Sequence, residues 1–72
     1  MAKAETALIA IAYRYFLSVA ETGSVRAAAR KLNVAASAIS RQLIQLEESL
    51  GVALFDRSGR GLTLAPAGAI LM

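Results

Sequence analysis

The 72-residue chain contains no cysteine and no histidine. Without cysteine it has no disulfide and no thiolate metal site, and without histidine it lacks the usual general base and the commonest metal ligand. Glu47 and Glu48 are adjacent, but neighbours on a helix point about 100° apart, so we expect both to be solvated. No glycine-rich phosphate cradle occurs. The composition therefore argues against an enzyme, and we expect no cofactor or metal in this chain.

Long hydrophobic runs are also missing. The segment 7–20 is apolar, but it is too short to span a bilayer and Arg14 interrupts it. The opening MAKAET is formally neutral, unlike the basic start of a secretory signal. We therefore expect a cytoplasmic chain that does not enter a membrane.

What the chain does contain is apolar surface and a modest basic excess. Apolar residues make up 57% of the composition, which is enough for a packed core. The length suits one small domain. Eight Lys and Arg against five acids give a net charge of +3, which suits a polyanionic partner without proving one.

Apolar spacing predicts three helices, at 8–22, 25–32 and 36–50. Gly23 ends the first helix, and the side chain of Ser24 caps the second. The turn 33–35 joins the second and third helices so tightly that they form a helix-turn-helix unit. Gly51 ends the third helix.

The first helix has apolar residues on two faces. The face that we expect to be buried carries Ile9, Tyr13, Phe16, Leu17 and Ala20. Leu8, Ile11 and Tyr15 lie on the opposite face, where solvated residues would be expected. Exposed apolar residues in one stripe suggest a surface for a partner.

The third helix has one apolar face and one largely polar face. The expected inner face carries Ile39, Leu43, Leu46 and Leu50. The outer face carries Ser37, Ser40, Arg41, Ile44 and Glu48. Small residues let a helix backbone enter the major groove of DNA, and Arg41 can donate two hydrogen bonds to one guanine.

Basic residues lie before and after this helix. Arg26 and Arg30 in the second helix can contact phosphates. Short strands near 54–55 and 62–64 enclose RSGRG, a basic hairpin whose arginines, Arg57 and Arg60, can meet phosphates or the adjacent minor groove. Each feature alone fits a solvated surface, and it is their order along the chain that favours DNA binding.

The C-terminal residues predict a further helix. Pro66 suits its first turn, and the apolar AGAILM follows. Because so short a helix cannot stand alone, we expect the chain to be a fragment cut within this element.

These pieces resemble the LysR-type transcriptional regulators of bacteria. The resemblance runs from about Tyr13 to Gly68 and is carried by RYFLSVAETGS, AARKLNVA, AISRQLIQLEESLGVALFDRSGRGLTL and PAGAIL. It implies a mainly α fold, a winged helix-turn-helix over residues 1–64, followed at 65–72 by the start of a linker helix. It also implies binding to double-stranded DNA by a homo-oligomer, usually a tetramer, with a small-molecule co-inducer bound by a C-terminal domain that this chain lacks.

The resemblance places DNA contacts on Ala36, Ser37, Ser40, Arg41, Arg57 and Arg60. Three features depart from the family pattern. Ala35-Ala36-Ser37 stands where Ser-Gln-Pro is usual, so the serine N-cap is lost. Ile44, Gln45 and Ala53 occupy positions that are often basic, which implies weaker and less salt-sensitive binding. Ala65 replaces the usual threonine before the linker helix.

Assembly is expected through the same linker helix. In a two-fold dimer, linker helices pair and pack against the apolar stripe of the first helix. The residues predicted for this contact are Leu8, Ile11, Tyr15, Ile70 and Leu71. The alternative is a winged-helix module that binds only another protein, and salt dependence distinguishes the two because only DNA binding should weaken steeply as salt rises.

Overall fold

The computed structural model describes residues 3–57 and 62–72, with the backbone alone for residues 3–6 and 8. The elements in chain order are α1 (Lys3–Thr22), α2 (Val25–Leu32), α3 (Ala36–Leu50), β1 (Phe55–Asp56), β2 (Thr63–Leu64) and α4 (Pro66–Leu71). The fold is therefore mainly helical with one small hairpin, as predicted. Within the described residues, no helix has both the length and the hydrophobicity needed to cross a membrane.

The first helix begins at Lys3, earlier than the predicted residue 8. The segment 3–7 reads KAETA, in which Lys, Ala and Glu are strong helix formers. The prediction relied on apolar spacing, which these residues lack, so it placed the start of the helix too late.

The junction between α1 and α2 follows the local sequence signals. Gly23 has φ +80°, and its N–H donates to the carbonyl of Val19 at 2.8 Å. Ser24 is extended, and its Oγ accepts from the amide of Ala27 at 2.9 Å. The predicted helix end and cap are both confirmed.

The turn between α2 and α3 uses the left-handed conformation of Asn33, at φ 57°. Val34 donates its N–H to the carbonyl of Ala29 at 3.1 Å, and its half-buried side chain packs against the core. Ala35 is the N-cap of α3 and makes no side-chain capping bond. At the other end of α3, Gly51 has φ 72°.

The core lies between the three helices and the first strand. Its largest fully buried side chains are Phe16, Ile39, Leu43, Leu54 and Val19. The ring of Phe16 lies 5.4 Å from that of Phe55, centroid to centroid, so the hairpin shares the helical core.

Two predicted buried faces need correction. On α1, Ile9 and Tyr13 are 43% and 37% exposed, while Ala12 and Val19 are buried. The prediction assigned the largest side chains of α1 to its buried face. The face that is in fact buried is centred on Phe16 and includes the small Ala12. On α3, Leu50 is 50% exposed because it is the last helical residue, one turn beyond the last buried residue of this helix.

The hairpin is antiparallel, with Phe55 opposite Leu64 and Asp56 opposite Thr63. Leu54 was predicted to lie in the first strand but precedes it, and its carbonyl accepts from the amide of Ala65 at 2.9 Å. This bond holds the residue before α4 against the start of the hairpin.

Gly68 brings α4 close to the same segment. A Cβ at this position would collide with the carbonyl oxygen of Leu54 and would lie 3.0 Å from the side chain of Leu64. Only glycine allows this approach without displacement of the backbone. The first turns of α4 are thus fixed by close contact with the hairpin.

Candidate nucleic-acid interface

The polar face of α3 lies outward, as its periodicity predicts. Ser37 and Arg41 are exposed, and Ala36 and Ser40 are partly exposed. Ile39, Leu43 and Leu46 point into the core and are 7% exposed or less. The helix therefore offers small side chains and one guanidinium in its first two turns, on a support that is fixed from behind.

The second helix adds two exposed guanidinium groups, Arg26 and Arg30. Lys31 on the same helix makes an ion pair with Glu21 of α1, with Nζ and Oε2 3.5 Å apart. Both side chains are more than half exposed, so the pair adds little stability. It does, however, place the charge of Lys31 beside α1.

One carboxylate joins α3 to the hairpin. Glu47 Oε2 accepts from the amides of Leu54 at 2.7 Å and Phe55 at 3.3 Å. Its Oε1 accepts from Arg57 at 3.2 Å. The Glu47 side chain is only 13% exposed, so the prediction that it is solvated was wrong. The adjacent Glu48 is exposed, as predicted.

The pKa of Glu47 reflects these contacts. Burial alone would raise it, but hydrogen bonds from the Leu54 amide, the Arg57 side chain and the Phe55 amide outweigh burial, and the positive charge of Arg57 acts in the same direction. The pKa of the Glu47 carboxyl therefore lies below its ordinary value of 4.5. Glu47 holds the hairpin as an ionised group at neutral pH.

The sequence contained one clue to this role. Glu47 lies in the last turn of α3, where a negative charge is unfavourable beside the carboxyl end of the helix dipole. An acid at such a position is expected to have a partner elsewhere in the fold. Here that partner is the backbone of the segment that follows Gly51.

Of the two arginines predicted for the hairpin, Arg57 lies within the described residues. Arg57 is 49% exposed and uses one nitrogen on Glu47. A guanidinium has five N–H donors, so Arg57 can still contact a phosphate while it is held in place. Arg60 lies outside the described residues.

The residues predicted for assembly fall into two groups. Ile11 and Ile70 are 40% and 87% exposed. Tyr15 and Leu71 are partly buried and pack against the core. The hydroxyl of Tyr13 donates to the carbonyl of Leu71 at 3.5 Å, which ties α4 to α1. The side chain of Leu8 lies outside the described part of the structure.

An open depression lies beside this surface. It has a volume of about 200 Å³ and is lined by Ile11, Arg14, Tyr15, Leu32 and Val34. Across residues 3–57 and 62–72, no group of three or more acidic side chains is placed to hold a metal ion. The features with the clearest chemistry are therefore the outer face of α3 and the basic residues around it.

The sequence matches one protein family over most of its length. The family is described as bacterial regulatory helix-turn-helix protein, lysR family, and the match spans residues 12–69. The HTH-type transcriptional regulator TfdS of Cupriavidus pinatubonensis is 51% identical over 59 residues, which are 82% of this chain and 20% of that protein.

Two solved structures with similar folds are complexes with DNA. The complex of the BenM DNA-binding domain with catB site 1 DNA gives a TM-score of 0.77 at 41% identity, over 81% of this chain and 64% of that one. The complex of the CbnR DNA-binding domain with DNA gives a TM-score of 0.73 at 50% identity, over 79% and 67%. This chain spans about a fifth of the length of the TfdS protein.

Proposed function

The chain belongs to the lysR family of bacterial regulatory helix-turn-helix proteins, and from this membership we propose that it binds double-stranded DNA sequence-specifically as the DNA-binding part of a transcriptional regulator. One observation carries the proposal. The outer face of α3 presents Ser37 and Arg41 to solvent while Ile39 and Leu43 anchor the helix from behind. This is the arrangement that a recognition helix requires.

The proposed base contacts come from the first two turns of α3. Arg41 donates two hydrogen bonds to O6 and N7 of a guanine in the major groove. Ser37 and Ser40 are small enough to let the helix backbone approach, and Ala36 contacts a thymine methyl group. These contacts select the sequence.

The proposed phosphate contacts flank that helix. Arg26 and Arg30 of α2 neutralise phosphates and set the register of the protein on the duplex. Arg57, oriented by Glu47, does the same from the hairpin. We assign Arg60 to the adjacent minor groove on the basis of the family resemblance and its place between two glycines.

We also propose how the chain acts in a longer protein. Residues 1–64 form the DNA-binding unit, and residues 65–72 begin a linker helix. A homodimer forms through contacts of Leu8, Ile11, Tyr15, Ile70 and Leu71, and longer chains assemble as tetramers. In such a protein a C-terminal domain binds a small co-inducer, and the protein works in the cytoplasm, where its DNA is. The exposed Ile11 and Ile70 support the dimer contact.

The test compares two single-charge deletions. A preferred site is first selected from a random DNA pool, and affinities for that site and for random DNA are measured at one salt concentration. Arg41→Ala should cost about 1–3 kcal/mol on the preferred site and much less on random DNA. Lys31→Ala removes the same charge beside α1, so it should affect both DNAs slightly and equally.

Two results would contradict the proposal. Equal losses of Arg41→Ala on both DNAs would make Arg41 a phosphate contact instead of a base contact. If the chain selects no sequence, and its DNA binding does not weaken as salt rises, the protein is not a DNA-binding module.

A further inference from the structure

Ile44 is an exposed apolar residue on the outward face of α3. It is 49% exposed, whereas the preceding Leu43 is fully buried. A single exposed apolar residue is common on protein surfaces and needs no explanation by itself. The position of Ile44 relative to the proposed base contacts is what indicates a role in binding.

Ile44 continues the row of those contacts. Counted from Ser37, the residues Ser40, Arg41 and Ile44 follow at steps of three, four and seven. Homeodomain recognition helices reach bases with four residues at this same spacing, because it places them along one face of the helix. Ile44 is therefore the fourth member of a base-facing row.

The distance between Ile44 and Arg41 along α3 also fits the spacing of bases in a duplex. Three residues of α-helix rise by about 4.5 Å, and successive bases of one strand are about 3.4 Å apart along the duplex. For a recognition helix that lies along the major groove, Ile44 consequently reaches about one base step beyond the pair proposed for Arg41. The next residue on this face, one turn further, is the exposed acid Glu48, which phosphates repel. The contact row thus ends at Ile44.

The chemistry of the side chain selects its target. Isoleucine cannot donate a hydrogen bond or neutralise a phosphate. The apolar group that the major groove presents is the C5 methyl of thymine. A β-branched side chain has essentially one χ1 rotamer in a helix, so the methyl groups of Ile44 are held in a fixed place.

We propose that Ile44 is a specificity-determining residue that contacts the C5 methyl of a thymine one base step from the Arg41 pair. The inference rests on the proposed DNA-binding function and extends it to a second base preference. It predicts a preference for thymine at that position, gained through apolar contact.

The experiment removes the methyl group from the DNA and the side chain from the protein in turn. Each thymine of the selected site is replaced singly by deoxyuracil, which lacks only the C5 methyl. The unaltered protein should lose about fourfold in affinity at the thymine one base step from the Arg41 pair, the loss expected when the burial of one methyl group is lost. Ile44→Ala should bind the thymine and uracil sites equally at that position.

Three further variants serve as controls. Ile44→Val keeps a branched apolar side chain and should retain the thymine preference. Leu50→Ala truncates another aliphatic residue of α3 with similar exposure, 50%, and should leave the uracil profile unchanged. Arg41→Ala weakens binding but should keep the thymine preference, because the two side chains meet different bases.

The outcomes separate this inference from the function on which it rests. If the protein binds its site selectively and Ile44→Ala shows the same uracil profile as the unaltered protein, Ile44 does not contact a thymine methyl, and DNA binding stands. If Ile44→Ala loses affinity for a protein partner but not for any DNA, the residue serves a protein interface. If no selective, salt-dependent DNA binding is found, both ideas fail.

Discussion

The helical half of the molecule, α1 to α3, is held together by apolar side chains that meet in one core. Phe16, Ile39 and Leu43 have no exposed surface. Of the described residues in the hairpin half, β1, β2 and α4 with the residues beside them, Leu54 and Phe55 are the buried apolar side chains of the core, and Leu62, Ala67 and Leu71 pack against it while partly exposed. Polar and backbone contacts have a larger share in holding this half. The two halves of the molecule are therefore supported by different proportions of apolar and polar contacts.

This difference matters for the proposed DNA binding because each half carries different proposed contacts. The proposed base-facing row of α3 is backed by the buried face of the same helix, so its geometry is tied to the stability of the whole domain. Arg57 is held by Glu47, at the edge of the hairpin. A change at that carboxylate should alter the phosphate contact proposed for Arg57 while leaving α3 in place. The position of Arg57 can therefore be changed by substitution without a change in the packing of α3.

The largest expected effect comes from breaking the helical half. Ile39→Ala removes a fully buried side chain and should cost about 2–5 kcal/mol in the free energy of unfolding, through lost burial and the cavity left behind. Urea unfolding followed by circular dichroism measures it. Ile44→Ala makes the same truncation on the exposed face and should change stability by less than about 0.5 kcal/mol. Similar losses in both variants would show that α3 does not divide into these two faces.

The next effect breaks the close contact between α4 and the hairpin. Gly68→Ala places a Cβ against the carbonyl oxygen of Leu54 and should destabilise the domain by about 1–3 kcal/mol. Helix propensity alone would favour alanine over glycine by about 1 kcal/mol, so the expected sign is opposite to the local preference.

Amide exchange locates the damage from Gly68→Ala. Protection should fall in α4 and around Leu54 before it falls in α2. Ala69→Gly, at an exposed neighbouring site, controls for propensity and should show only a small loss. A Gly68→Ala variant that is more stable than the original chain would mean that α4 does not approach Leu54 so closely.

A smaller effect comes from the carboxylate that joins the two halves. Glu47→Gln keeps an acceptor but loses the negative charge, and should cost about 1–2 kcal/mol at pH 7, because hydrogen bonds to charged groups are stronger than neutral ones. Glu48→Gln changes the exposed neighbour and should have almost no effect.

The pH dependence follows from the lowered pKa of Glu47. Because the folded pKa lies below the ordinary value of 4.5, the stabilisation is fully present above the unfolded pKa and is lost as pH falls through the folded pKa. The difference in unfolding free energy between the original chain and Glu47→Gln should therefore shrink as the medium becomes acidic. A difference that stays constant down to pH values well below 4.5 would contradict this role.

These two halves also differ in how far the sequence predicted them. Ser24, Asn33 and Gly51 act within one turn of their own positions, so their effects are visible in a short stretch of sequence. The outer face of α3, including Ser37 and Arg41, followed from periodicity alone. Local signals were sufficient for most of the helical half and for the outward placement of Ser37 and Arg41 on α3.

The contacts of the hairpin half were not predicted because they depend on how the chain reverses. Glu47 meets amides seven and eight residues away, and Gly68 meets Leu54 across β1 and β2. No periodic pattern connects such positions. The prediction of the buried face of α1 was wrong for a related reason, since the packing partners decide whether Ala12 or a larger neighbour enters the core.

The smallest expected effect sharpens the comparison within the helical half itself. The short α2 has a serine N-cap bonded to Ala27, whereas the N-cap residue of α3, Ala35, offers no side-chain cap. The backbone of Ala35 is already extended, at φ −70° and ψ 139°, so a serine there can accept from a first-turn amide without rearrangement. Ala35→Ser should therefore stabilise the domain by about 1 kcal/mol. Ala35→Val, which offers no acceptor, should not, and urea unfolding at neutral pH compares the two. If serine and valine give equal stabilities, the start of α3 is already satisfied by water, and its missing cap costs the fold nothing.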